Sequence, residues 1–297
     1  MSVIESAAHL PTAGISVGVL VVVVLAGVLH AGWNVAAHAI TDRLAAQLTI
    51  AGAYTLAAAP VAVFAVAPRR GAWPFIVGSA LMHLVYTALL MRSYRLGDFG
   101  VAYPVARAVA PVVVTAYSVA VLGEHPAAHQ WAGIVLLCSG IAMVAVARPP
   151  GAGRPSRSAT LAAIATGSCI AAYTVIDAVG VRYSDSVAGY VGWMFLLQGP
   201  LILAFLGAVI PPRRLWDRAR PYLRVGLTSG LVSLVAYAAV IWAQARSPEA
   251  TGTVAATREI GIVIAAFLGR MLYREPLGHA RVVGAIVAFA GIVVTSL

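Results

Sequence analysis

The apolar positions of this chain come in runs of about 20 residues, separated by short polar turns. Ten runs can be marked, at about 16–36, 44–66, 73–94, 100–121, 130–147, 159–180, 187–210, 221–245, 250–272 and 280–297. About 20 apolar residues is the length of an α-helix that crosses a bilayer's hydrocarbon. Lipid offers no partner to a backbone N–H or C=O, so each segment must satisfy its own groups, and helix is the predicted state. A transmembrane barrel would show short alternating segments instead. Residues 1–12 carry no basic stretch ahead of the first run, which reads as a span and not as a cleavable signal. One stretch, Arg148 to Arg157, is rich in Pro and Gly and reads as a linker. It divides the chain into a first unit at 1–148, the linker at 149–158, and a second unit at 159–297.

The two units align with each other. At an offset of 151, Tyr86 meets Tyr237, Arg95 meets Arg246, Arg107 meets Arg258 and Glu124 meets Glu275, without a gap. Gly133 and Gly140 meet Gly284 and Gly291 at the same offset. Earlier runs align at an offset of 140, pairing Gly27 with Gly167 and Pro60 with Pro200; the 11-residue difference falls in the basic loop Pro211–Pro221. Each unit holds five runs. Five is odd, so the second copy must cross the membrane upside down relative to the first. The predicted fold is all-α and integral to the membrane: ten transmembrane helices as two inverted five-helix repeats around a central cavity. Secondary transporters recurrently use this plan, with substrate bound near the midplane between the copies.

Composition strengthens the membrane reading. Of 297 residues, 61% are hydrophobic and 10% charged, against about 25% charged in soluble domains. The mean hydropathy is +0.91. The net charge is +10, and all 20 basic residues are arginine. Nearly all lie in short loops, where they meet lipid headgroups, so no nucleic-acid partner is predicted. Fourteen follow odd-numbered runs and four lie on the opposite side, which by the positive-inside rule puts both termini outside. Cys138 and Cys169 sit in apolar runs as small core residues. No spacing suits a metal, and no cofactor is predicted.

Charge inside the spans is rare, and there it marks function or a helix-locking ion pair. Arg107, Arg258 and Glu259 are the clear cases, with Asp177 near the end of the sixth run. The arginines either pair with Glu259 or Asp177, or line a substrate path. Arginine's planar fork suits a carboxylate or phosphonate. Glu259 suits a substrate amine or a coupling proton. Tyr103, Arg107 and Pro111 share one helical face. Pro104 and Pro111 are expected to kink that helix and open a cavity beside it. His30, Trp33 and Asn34 form a stripe on the first run; His83 with Tyr86, and Tyr173 with Asp177, form others. With Tyr237 they are candidate cavity walls, the histidines either as proton relays or as helix-to-helix hydrogen bonds. Glu124 and Glu275 stand at interfacial turns, as helix caps or partners of loop arginines. Gly133, Gly140, Gly284 and Gly291 suit close helix approach, within the chain or between two protomers of a homodimer.

These residues resemble the EamA branch of the drug/metabolite transporter superfamily, over nearly the whole chain. The resemblance rests on His30-Ala-Gly-Trp-Asn34, Tyr94-Arg-Leu-Gly-Asp98, Tyr103-Pro-Val-Ala-Arg-Ala-Val-Ala-Pro111, and Leu122-Gly-Glu124 with Gly133 and Gly140. In the second half it rests on Ala172-Tyr-Thr-Val-Ile-Asp177, Ala256-Thr-Arg-Glu259, Arg274-Glu-Pro276, Gly284 and Gly291. Two features depart from the pattern: alanine stands at 108 where glycine is expected, and the termini lack basic residues. The resemblance implies ten helices in inverted repeats, termini inside, and passage of amino acids, related metabolites or drugs on ion or substrate gradients.

A secondary transporter of a small metabolite in the cell membrane, working by alternating access, is therefore the leading expectation. Its partners would be the substrate, the bilayer and a coupling proton or ion. No Walker sequence is present. A membrane enzyme would need a nucleophile–base pair or metal cluster, whereas His30, His83 and Asp177 are spread over three runs. A structural subunit would show a sealed interior with Arg107 and Glu259 paired.

Overall fold

The structure is a computed structural model describing residues 15–96, 99–146, 156–273 and 278–295. Side chains at 93–104, 145, 146, 266, 269, 270, 272 and 273 fall outside the description. The order is α1 (Val17–His38), α2 (Arg43–Phe64), α3 (Trp73–Leu96), α4 (Phe99–Ala120), α5 (Ala128–Val146) and α6 (Arg157–Gly180). There follow α7 (Val187–Val209), α8 (Pro212–Ala219), α9 (Leu223–Arg246), α10 (Thr251–Arg258), α11 (Ile260–Tyr273) and α12 (His279–Thr295). No strand occurs among the described residues. Six stretches, built on α1, α2, α3, α6, α7 and α9, are long and apolar enough to cross a membrane. Parts of α4 and α5, and α12, are shorter apolar helices.

Nine predicted runs are each occupied by one long helix, and the basic loop adds the short α8. The run at 250–272 is the exception. It is split at Glu259 into α10 and α11. The Glu259 N–H donates to the Ala256 carbonyl (3.0 Å), and the Ile262 N–H donates to the Glu259 carbonyl (2.9 Å). These three-residue bonds tighten the turn and interrupt the α-helical ladder. α4 runs in helix through Pro104 and Pro111. The interruption lies instead in its repeat mate, which has no proline there.

Helix starts are set by short polar side chains. Ser16, Ser156 and Ser186 accept an N–H from the first turns of α1, α6 and α7, satisfying donors that a helix start leaves orphaned. Asp42 does so for α2 and also binds Arg218 of α8. Burial would raise the Asp42 pKa, but the Arg218 bond and two backbone N–H groups hold it below the usual carboxylate value.

Packing is inverted relative to a soluble protein. Bulky Val17, Leu56, Phe64, Val135 and Ile286 are exposed, as a lipid-facing belt requires. The interior is rich in alanine and glycine, which let helices approach closely. A Cβ on Gly140 would lie 2.5 Å from the Gly284 carbonyl oxygen, and one on Gly133 would lie 2.6 Å from that of Gly291. The glycine faces of α5 and α12 are thus spent on each other inside the chain, not left for a second protomer.

Helix pairing is reciprocal between the halves. α5 packs on α12 and α2 on α7; α3 lies on α6 as α1 lies on α9; α4 meets α6 as α10 and α11 meet α1. The close approaches repeat too. Gly27 abuts the Arg258 carbonyl and Ile260, while its mate Gly167 abuts the Ala106 carbonyl and Val109.

Candidate functional site

The α10–α11 junction carries Arg258 and Glu259 into the protein interior, and α4 brings Arg107 to meet them. Arg107 Nε lies 2.8 Å from one Glu259 carboxylate oxygen; Arg258 Nη2 lies 3.6 Å from the other. The side chains are 4%, 0% and 5% exposed for Arg107, Glu259 and Arg258. The cluster holds two cations and one anion, because the repeat supplies an arginine twice while the mate of Glu259 is Ala108. Arg107 has the close contact. Arg258 has the looser one; its Nε and both Glu259 carboxylate oxygens are buried without a hydrogen-bond partner.

Arg258 also forms part of the wall of a cavity of about 180 Å³. The wall comes from one end of five helices: residues 26–38 of α1, 43–54 of α2, 83–91 of α3, 195–202 of α7 and 233–240 of α9, with Tyr173 of α6. It includes His38, which is exposed, so the cavity is open at the α1–α2 turn. Among the described residues its wall has two arginines, Arg43 and Arg258, and no Asp or Glu.

Aromatic rings line the deep part in a connected series. His83 stacks on Tyr173 with centroids 3.9 Å apart. Tyr173 meets Tyr86 at 5.8 Å and Tyr237 at 6.1 Å; Tyr237 meets Phe195, which meets Tyr54 at 4.9 Å. Offset and edge-on contacts of this kind stabilise an aromatic cluster by about 0.5–1.5 kcal/mol each beyond burial. Asp177 holds one member in place: Tyr237 Oη donates to it at 2.6 Å and Tyr190 Oη at 2.9 Å. His83 Nδ1–H donates to the Ser79 carbonyl within its own helix (2.9 Å), and Asn34 donates to the His30 carbonyl (2.7 Å).

The opposite end is tied shut. Glu124, after α4, accepts the backbone N–H groups of Thr251 (2.9 Å) and Gly252 (3.2 Å), capping α10 across the repeat boundary. Arg182, after α6, donates to the Pro248 carbonyl (2.6 Å) and to Thr251 Oγ1 (2.9 Å). Arg69 pairs with Asp185, and Phe75 stacks on Tyr183 at 5.3 Å. None of these residues lines the cavity.

Of the candidate site residues, His30, Trp33, Asn34, His83, Tyr86, Tyr173, Tyr237 and Arg258 share the cavity wall. Arg107, Glu259 and Asp177 do not; they stand behind it, each bonded to a wall residue or to a neighbour of one. The α4 face of Arg107 and Pro111 therefore does not front the cavity. The Tyr103 side chain and Glu275 lie outside the described residues. Sequence reasoning passed over Tyr54, Gln198, Gln47, Phe195 and Thr87. A signal existed for two: Tyr54 and Gln198 are polar residues deep in α2 and α7, and Gln198 Nε2 donates to Tyr54 Oη at 3.2 Å. The arrangement sets a buried ion pair, Arg107–Glu259, behind an arginine of the cavity wall. It meets half of the condition for a sealed subunit, the pairing, and fails the other half, since a cavity is present.

A model of the EamA-like transporter family matches residues 17–146 and again 157–297. No curated protein matches the chain. A solved structure described only as "Crystal structure of protein" is similar at a TM-score of 0.68 and 18% identity, covering 93% of this chain and 96% of that one. At that identity the likeness carries the fold alone. With two family matches spanning nearly all of the sequence, over a helical, lipid-belted molecule, the chain belongs to the EamA-like transporter family and is a multi-pass membrane transporter.

Proposed function

We propose that this protein is a secondary transporter that moves a small metabolite across the cell membrane by alternating access. The observation that carries the reading is the cavity: it is open at one end, tied shut at the other, and ends beside a buried charged junction in a broken helix. Interrupted helices at a midplane site are a recurrent transporter device. At about 180 Å³ the space falls below the roughly 300–1,000 Å³ of drug-sized sites, which favours a metabolite. The reciprocal helix pairing and the two family matches support ten spans in two inverted repeats, at 1–148 and 159–297, although α6 already begins at Arg157. In that architecture each half can adopt the other's conformation, which closes the open end and opens the tied one. Arg258, Trp33, Asn34, Tyr86, Tyr173 and Tyr237 contact substrate. Arg107, Glu259 and Asp177 position them, and Glu259 or Asp177 carries any coupling proton.

The test is flux in proteoliposomes preloaded with labelled amino acids, organic acids and amines in turn. At least one compound should leave with the protein present, and Arg258→Gln and Tyr237→Phe should each slow it at least tenfold and about threefold, respectively. No flux of any compound would count against transport; unchanged flux in both variants would count against the site.

A further inference from the structure

We infer that the transported molecule carries a small anionic group, a carboxylate or phosphonate, and that Arg258 with the Trp33 indole N–H binds it. This rests on reading the cavity as the transport site, and four observations support it. The wall carries Arg258 and, among the described residues, no Asp or Glu. The single carboxylate near Arg258 is already engaged at 2.8 Å by Arg107, which leaves the cluster one positive charge in excess. Arg258 is 4% exposed, and its Nε is buried without a hydrogen-bond partner. Trp33, on the same wall, also has its indole N–H buried and unmet.

Buried donors without acceptors are costly, and native structures rarely keep them without a ligand or water to meet them. On this wall a guanidinium and an indole N–H are unmet donors and Gln198 Oε1 is an unmet acceptor, which suits a molecule with a group of acceptor oxygens and negative charge at one end and a donor elsewhere. A carboxylate or phosphonate does this through paired bonds to the arginine fork. A neutral amide would leave the excess charge uncompensated. An amine would bring a second cation next to Arg258. The aromatic rings alone could attract a cation, but a cation–π contact is worth about 0.5–2 kcal/mol and does not outweigh a like charge in a desolvated cavity. The amides of Gln47, Asn34 and Gln198 and the tyrosine rings are left to contact the rest of the molecule.

The experiment is ligand-induced stabilisation of the purified full chain in detergent, read as a shift in melting midpoint. The probes are size-matched sets: butyrate, benzoate, propylphosphonate and phenylphosphonate; butyramide and benzamide; butylamine and benzylamine. Binding confined to the anionic set, weakened about tenfold or more by Arg258→Gln, less by Arg258→Lys, and a few-fold by Trp33→Phe, supports the proposal. Trp33→Phe keeps an aromatic ring while removing the donor, so it informs even if Arg258→Gln folds poorly. Binding by the amides or amines alone, anionic binding indifferent to Arg258→Gln and Trp33→Phe, or no binding by any anion overturns it. Those outcomes leave the transport reading standing if liposomes still show flux. Anion binding without any flux would do the reverse.

Discussion

At the residue scale, the charge count decides how the buried cluster behaves. Two arginines share one carboxylate, so the three side chains are not equivalent. Glu259→Gln leaves two buried cations facing each other with no counter-charge. Breaking a buried pair from one side costs about 3–5 kcal/mol, and here two partners are orphaned at once. Arg107→Ala is expected to cost less, because Arg258 is 3.6 Å from the same carboxylate and remains to pair with it. The double variant should recover much of the Glu259→Gln loss. Unfolding midpoints of the two single variants and the double one check this order; an Arg107→Ala loss exceeding that of Glu259→Gln would show that the count is wrong. Arg107, Arg258 and Glu259 were legible in the sequence, because charge amid 20 apolar residues is conspicuous. Their arrangement was not: both arginines reach one carboxylate, and which of them also lines a cavity is a matter of a few ångströms. Tyr54 and Gln198 were harder still, since an uncharged polar residue in a span has many uses and only three-dimensional convergence singles out one.

At the element scale, the informative parts are the split helix and the tie that holds it. Pro104 and Pro111 were read as kinks in the fourth run; α4 runs in helix through both, and it is its mate that breaks. Proline removes a donor but does not compel a break where neighbours support the helix. The break follows Glu259, whose backbone forms a tight turn beside the charge cluster. Sequence reading placed Glu124 as a cap or an arginine partner, and it caps α10, a helix of the other repeat. No local pattern could reveal that, since the partners are more than 120 residues apart. A carboxylate on two N–H groups at a helix start also meets the helix dipole favourably. Glu124→Ala therefore strands two buried donors, at about 1–3 kcal/mol. Because those bonds tie the closed end, the same change should speed thiol labelling of a cysteine placed at Thr253, next to the tie. Labelling no faster than in the parent chain would mean that Glu124 does not hold that end shut.

At the scale of the whole molecule, membrane residence was fixed by composition, and the two-fold plan was readable because charged pairs align at one offset. The reciprocal pairing of α3–α6 with α1–α9, and the matching close approaches at Gly27 and Gly167, are what such an alignment should produce in space. The cavity was not readable, because it depends on which ends of the helices splay apart. Its mouth lies at the α1–α2 turn, the side that holds Arg43 and most of the loop arginines. The most direct measurement needs no knowledge of the substrate. Ala236, buried in the cavity wall, is replaced by cysteine in a chain whose Cys138 and Cys169 are alanine, and a membrane-impermeant thiol reagent is added to either face of oriented vesicles. Alternating access around this cavity is expected to give labelling from both faces, faster from the arginine-rich one. Labelling from one face alone, however long the exposure, would contradict it.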